Sequence, residues 1–188
     1  MGRVFIKKII FGTLIVVAFS FIYHNFQQSP EAQDVLINTD DWSKPIDVLF
    51  VENIGGEWVT FFRDDEQMYV GLLKQNWLGQ WNLEDNFGNE GAVGNVAFNP
   101  NLENRAGIVW GFSGVSKGGD SLQRYYYGMI SNREIDKITL SVDNGRPDNV
   151  SLIKSKGERF FFIRKQETDG VPYEFKAISD EQVVARES

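Results

Sequence analysis

Carboxylates are the side chains best able to support chemistry in this chain of 188 residues. The sequence contains 26 acidic residues, one histidine (His24) and no cysteine. Without cysteine there is no disulfide, thiol nucleophile or cysteine-ligated zinc site. His24 lies at the end of an apolar run, where an interfacial polar role is the ordinary one. A Ser-His-Asp triad and a histidine-ligated metal centre are therefore excluded beyond residue 26.

Two carboxylates can hydrolyse a glycosidic bond if they are held at the right separation and one of them stays protonated. Nothing in the spacing of the acids marks such a pair, and acidic residues are frequent on the surface of any anionic domain. We therefore predict that the protein is not an enzyme, with a carboxylate-dependent glycan hydrolase as the alternative. The candidate acids are Glu57, Glu84, Asp85, Glu90 and Asp120.

Two loops are rich in the oxygen ligands that calcium prefers. The segment "DNGRPDN" (143–149) places Asp143, Asn144 and Asp148 around a Gly-Arg-Pro turn, and "EDNFGNE" (84–90) is the second loop. Calcium takes about six to eight oxygens, and neither loop has the EF-hand spacing. Asp-Asn-Gly is also a common turn sequence, so a plain β-turn is the competing interpretation. No phosphate-binding glycine loop is present, and no cofactor is predicted.

Exposed aromatic side chains could stack on a glycan or contact a partner protein. Core packing is their commoner role, but the three consecutive tyrosines cannot all face a single core. Segments 105–114 and 125–138 are where an exposed groove is expected, because their glycines allow a ligand or second chain to approach the backbone. The candidate ligand-binding residues are Trp77, Trp81, Trp110, Tyr125, Tyr126 and Tyr127.

The charge distribution separates the first 26 residues from the rest. Arg3, Lys7 and Lys8 precede the apolar run, and the first acidic residue is Glu31. The chain after residue 26 carries 16 basic and 26 acidic side chains, a net charge of −10. An acidic surface repels phosphate backbones and no basic patch is visible in the sequence, so we expect no nucleic-acid partner.

Residues 9–23 are uncharged and apolar, and they predict a membrane anchor. A helix of this length measures roughly 22 Å, short of the ~30 Å hydrocarbon core. Lys7 and Lys8 can snorkel, so that residues 4–26 contact the membrane. The predicted protein is single-pass in the cell membrane, with a cytoplasmic N-terminus and the C-terminal domain outside.

A cleaved signal peptide is the alternative to this anchor. Ala18 and Ser20 suit a cleavage site, but residues 21–23 prolong the apolar run beyond it. Cleavage would make the protein secreted. The third interpretation of this segment is a helix packed in the core of a soluble protein. Residues 27–45 are predicted to form a polar linker with a short helix over 30–37, capped by Ser29 with Pro30 in the first helical position.

Residues 46–188 are predicted to form an all-β domain, an antiparallel sandwich or a meander-like set of sheets. Apolar and polar residues alternate, and Gly, Asn and Asp turn signals separate the alternating segments. Segments 48–63 and 150–164 share a pattern of strand, glycine turn and strand, which allows two similar β units. The expected strands are 46–52, 57–63, 68–75, 80–83, 93–98, 107–113, 124–130, 135–142, 149–155, 159–166 and 173–178.

Some of these strands are apolar on both faces. In "ERFFFIRK", Phe160 and Phe162 share one face, whereas Phe161 and Ile163 share the other; "VTFF" and "YYYGMI" follow the same pattern. Such strands need cover on both sides from a second sheet or a loop. The alternative is an open aromatic patch that contacts a partner.

The basic start, the single membrane segment, the acidic β domain and the phrase "YYYGMISNREIDKITLSVDNG" (125–145) together resemble uncharacterised small membrane-anchored envelope proteins of Gram-positive spore-forming bacteria. The resemblance is specific over the C-terminal third of the chain. It implies a location in the cell envelope and no particular activity.

These observations favour a non-catalytic, membrane-tethered extracytoplasmic domain that binds or modulates a cell-envelope component, either a protein or a glycan. The alternatives are the glycan hydrolase and an assembly partner of another membrane protein, which would pair through a strand edge or an aromatic patch.

Overall fold

The computed structural model describes residues 2–84, 92–97, 107–116, 122–167 and 172–187. These residues form two helices followed by thirteen strands, and every pairing between the strands is antiparallel. The predicted all-β fold is confirmed.

The N-terminal helix α1 (Gly2–Gln27) contains a segment with the length and composition of a membrane span. This segment covers residues 10–27, and none of it is buried inside the protein. A helix belonging to a soluble core would be buried, so the third interpretation of this segment is wrong.

The linker contains the expected short helix, α2 (Ala32–Asn38), but its start differs from the prediction. The N-cap is Glu31 instead of Ser29, and the Glu31 backbone N–H donates to Asp34 Oδ2 at 2.8 Å. This capping box satisfies a backbone donor that the helix leaves open. Pro30 consequently lies before the helix and is buried.

Each expected strand corresponds to an observed one, with two differences. The segment expected at 149–155 is divided into β9 and β10, and the C-terminal strand β13 was missed. The strands are β1 (Asp47–Ile54), β2 (Glu57–Arg63), β3 (Gln67–Gln75), β4 (Trp81–Leu83), β5 (Ala92–Ala97), β6 (Ile108–Ser116), β7 (Leu122–Ile130), β8 (Lys137–Val142), β9 (Asp148–Asn149), β10 (Ile153–Ser155), β11 (Glu158–Glu167), β12 (Tyr173–Ser179) and β13 (Gln182–Glu187).

The turn before β13 explains why this strand was missed. Asp180 and Glu181 have φ angles of 47° and 63°. A left-handed turn is usually predicted from a glycine or an asparagine. Neither residue occupies this turn, so its sequence gave no sign of a hairpin.

The strands form three sheets. Sheet A has the order β1-β2-β3-β4, with β5 also paired to β3; sheet B has the order β10-β11-β7-β6; and sheet C has the order β13-β12-β8-β9. Side chains from sheets A and B share one core cluster, and side chains from sheets B and C share another. Sheet B is therefore the middle layer of three.

Aromatic rings fill the space between sheets A and B. Phe61 of β2 packs edge-on against Phe160 of β11, with ring centroids 5.4 Å apart. Phe50 of β1 stacks on Phe61 at 4.8 Å. On the outer face of sheet A, Trp42 after α2 packs against Phe62 with centroids 5.5 Å apart, so sheet A is also covered on both faces.

The other face of sheet B packs against sheet C in the same way. Phe161 of β11 and Tyr126 of β7 approach Phe175 of β12, with centroid distances of 5.5 Å and 5.7 Å. Ile138 and Leu140 of β8 complete this core. The prediction that strands apolar on both faces are covered on both sides is confirmed.

Gly128 of β7 permits the close packing of the middle sheet. Phe161 lies directly opposite it on β11. A Cβ atom at position 128 would lie 2.5 Å from Phe161 Cε1 and 2.5 Å from the backbone oxygen of Val109. Because the second neighbour is backbone, the clash cannot be relieved by rotating a side chain.

We expect Gly128→Ala to lower the free energy of unfolding by about 2–3 kcal/mol because it overpacks the middle sheet. Gly114→Ala is the matched control in the same sheet: its Cβ would lie 3.3 Å from Cδ1 of Leu122, whose side chain can rotate. That change should stay within about 1 kcal/mol. The measurement is urea unfolding of the full chain in non-ionic detergent micelles. Equal unfolding midpoints for Gly128→Ala and wild type would contradict this packing.

Candidate functional site

The three consecutive tyrosines lie in the core. Tyr125 and Tyr127 face sheet A and Tyr126 faces sheet C, and each is at most 4% exposed. The Tyr127 hydroxyl donates to the Asn95 backbone oxygen at 3.1 Å, and burial raises the pKa of Tyr127 to about 12. The three tyrosines do face opposite ways, but both sides are covered, so none of them is available to bind a ligand.

Trp110 is also part of the packing between two sheets. It stacks on Phe175 of sheet C, with ring centroids 5.1 Å apart and planes at 21°. The neighbouring Gly111 is approached by the ring of Tyr127, and Gly128 by the ring of Phe161. The expected groove is therefore wrong within the described parts of segments 105–114 and 125–138, because the protein's own rings occupy the space beside these glycines.

Trp77 and Trp81 lie in different surroundings and do not form one stacking platform. Trp81 packs edge-on against Trp58, with centroids 6.0 Å apart, and its Nε1 donates to the backbone oxygen of Gln28 at 3.0 Å. Trp77 is 79% exposed at the turn between β3 and β4. Trp81 thus fixes the linker, and Trp77 is the aromatic candidate that faces solvent.

The turn that carries Trp77 contacts the end of α1. Asn25 Nδ2 donates to the Leu78 backbone oxygen at 3.4 Å, and Gln75 Nε2 donates to the Asn25 backbone oxygen at 3.0 Å. Gly79 packs closely against the helix, since a Cβ there would lie 2.8 Å from Asn25 Cβ. We call this contact between residues 25–28 and 75–81 the junction; a polar cavity of about 660 Å³ lies beside it.

The carboxylates Glu57 and Glu84 are both ion-paired. Glu57 accepts from Arg164 and Glu84 from Lys74. Each of these two carboxylates is therefore engaged by a cation of the protein, and they do not pair with each other. Burial, followed by the charges of Glu57 and Glu84, raises the pKa of Tyr125 to about 12.

The structure does not bring the predicted metal ligands together as a site. Asp143 and Asn144 have φ angles of 54° and 53° and form a tight turn closed by a 2.9 Å hydrogen bond from Gly145 N to Val142 O. Asp148 pairs with Lys165 at 3.0 Å. Among the described residues, no group of three or more His, Cys, Asp or Glu side chains could hold a metal. Three of the candidate acids lie outside the described residues: Asp85, Glu90 and Asp120.

A concave basic surface lies at the β10–β11 hairpin, and the sequence had not indicated it. The cavity measures about 380 Å³. Lys154 of β10 lies directly opposite Arg159 of β11, so their side chains share one face of the hairpin. We call this cavity the basic pocket, and its lining is Arg133, Lys154, Ser155, Lys156, Gly157, Glu158 and Arg159.

Hydrogen bonds hold the basic pocket at a place where the three sheets meet. Arg159 donates to the backbone oxygens of Asn132 and Ile135, which fixes the turn carrying Arg133 before β8. On the other side, Lys156 Nζ donates to Asp47 Oδ1 at 2.7 Å at the start of β1. The pocket is therefore lined by the β10–β11 hairpin and the turn at Arg133, and Lys156 ties it to β1.

Two cations of the basic pocket have no acidic partner among the residues that the structure describes. Arg133 and Lys154 are exposed, and no described carboxylate lies within the 4.0 Å ion-pair distance of either. The nearby Glu158 pairs with Arg63 at 3.7 Å. The expectation of no basic patch is thus wrong at this hairpin, although the domain as a whole is acidic.

Known proteins give no further guide to this site: comparisons with protein-family models, curated sequences and solved structures returned no match.

Proposed function

We propose that the protein is a non-catalytic β domain that α1 tethers to the outer face of the cell membrane, where it binds a component of the cell envelope. The observation that carries the proposal is the junction. An exposed apolar helix ends in direct contact with one end of the β domain, so a membrane crossed by α1 would lie beside that end.

The charge distribution supports the outward orientation. Arg3, Lys7 and Lys8 precede the apolar segment, and positive residues flanking a membrane helix remain on the cytoplasmic side. The β domain would then lie outside the cell. The absence of cysteine is compatible with that location, because a domain of this size can be stable without disulfides.

The ion pairs support a binding role in place of catalysis. The two described candidate acids, Glu57 and Glu84, are each engaged by a cation. The strand edge offers less support for an assembly partner. No other described strand pairs with the outer edge of β13, but a bulge in the β12–β13 pairing interrupts the flat surface that strand addition needs.

Trp77 supports the tethered arrangement. Tryptophan is enriched at membrane interfaces because its ring is apolar and its N–H is polar. Trp77 is 79% exposed on a turn that contacts the last turn of α1, where Tyr23 is 69% exposed. We therefore place the ring of Trp77 in the headgroup region of the same membrane.

Single cysteines test the orientation, because the chain contains none of its own. We expect a membrane-impermeant maleimide to label Arg146→Cys in intact cells, and Gly2→Cys only after the cells are permeabilised. The labelled protein should remain in the membrane at full length. Labelling of Arg146→Cys only after permeabilisation would refute the outward orientation, and a shortened product in the medium would show a cleaved signal.

An environment-sensitive fluorophore tests the position of Trp77. In liposomes, the probe on Trp77→Cys should shift to shorter emission wavelengths and be quenched by lipid-attached quenchers. The control is Val184→Cys, a half-exposed apolar position on β13. Equal quenching at the two positions would contradict membrane contact at Trp77.

A further inference from the structure

The basic pocket brings like charges close together on one face of the β10–β11 hairpin. Lys154 and Arg159 are directly opposite each other on β10 and β11. Like charges in this position destabilise an antiparallel pair. Arg133, on a turn that Arg159 itself holds, adds a third positive charge to the same cavity.

The acids around the pocket do not neutralise these three cations. Glu158 lines the pocket, but it follows Gly157 on the opposite face of β11 from Arg159, and its carboxylate pairs with Arg63 at 3.7 Å. Asp47 pairs with Lys156, the fourth cation in the lining. Neither Glu158 nor Asp47 forms an ion pair with Arg133 or Lys154.

We infer that the basic pocket binds a phosphate group carried by a small molecule. Lys154 and Arg133 line the pocket from two segments of the chain and suit the several oxygens of a phosphate, with Arg133 donating in the fixed fork geometry of arginine. A cavity of about 380 Å³ has room for a phosphate together with a small attached group. The net charge of −10 carried by the chain after residue 26 disfavours an extended polyanion.

The position of the pocket distinguishes a free phosphate compound from a lipid headgroup. Lys156 is bonded to Asp47 and Val48 at the start of β1, whereas the junction lies beyond the other end of sheet A. The seven residue steps of β1 correspond to about 23 Å. The choice of a soluble ligand rests on the proposed function. If α1 spans the membrane, the pocket faces away from the membrane and toward soluble compounds.

Titration of the full chain in non-ionic detergent micelles with glycerol phosphate tests the inference. Inorganic phosphate is the second probe, and sodium chloride at equal ionic strength is the control. We expect saturable shifts of the backbone amide signals of Lys154, Gly157 and Arg159. Binding to vesicles of anionic phospholipid, without any response to the two soluble phosphates, would overturn the choice of ligand.

Matched variants separate the pocket from general electrostatics. Lys154→Ala and Arg133→Ala should each weaken glycerol phosphate binding about tenfold, as expected when a charge-assisted hydrogen bond is lost. Lys137→Ala removes an exposed lysine from β8, outside the pocket, and should leave the affinity unchanged. Equal weakening by all three variants, or no saturable shift in wild type, would refute the site.

Stability provides an independent measurement. Without phosphate, Lys154→Ala should unfold at a slightly higher temperature than wild type, because it removes the repulsion from Arg159. With phosphate, the order should reverse, because wild type binds more tightly and is stabilised more than the variant. A lower unfolding temperature for the variant under both conditions would show that Lys154 is structural, and would refute the inference. None of these measurements depends on α1, so their failure is distinguishable from failure of the proposed tether.

Discussion

Strands β7 and β11 are apolar on both faces, and this constraint determines the arrangement of the domain. Tyr125, Tyr127 and Phe160 need cover on one side, while Tyr126 and Phe161 need it on the other. A single sandwich would leave one set of rings in water. Sheet A covers one set of rings and sheet C covers the other, so both are removed from water. Fully burying each such ring contributes about 1.5–3 kcal/mol of hydrophobic free energy.

The same constraint determines where binding can occur. Because the central aromatic residues are used in packing, the candidates that the sequence had marked as ligand contacts are mostly unavailable, Tyr126 and Trp110 among them. Exposed side chains remain at the two ends of the strands. One end carries the junction with the exposed Trp77, and the other carries the basic pocket with Lys154. The domain thus separates the proposed membrane contact from the proposed phosphate site.

The sequence predicted the fold well because its signals are local. Alternation gave the strands, and Gly55-Gly56 and Lys156-Gly157 adopt the positive φ angles of tight turns in the two similar hairpins. Strand β13 was missed because its turn uses Asp180 instead of glycine or asparagine. The basic pocket could not be predicted in full, since Arg133 joins it only through tertiary packing. One part of the pocket could have been predicted, because a hairpin that turns at Lys156-Gly157 places Lys154 opposite Arg159.

Hydrogen exchange tests the central claim, that the middle sheet is the most protected layer. Amides of β7, and those amides of β11 that are bonded to β7, should exchange only through global unfolding of the domain, because the pairing of these two strands lies inside sheet B and is covered on both faces. Amides of β13, at the edge of sheet C, should exchange faster through local opening. Protection of β7 and β11 no greater than that of β13 would contradict the three-layer account.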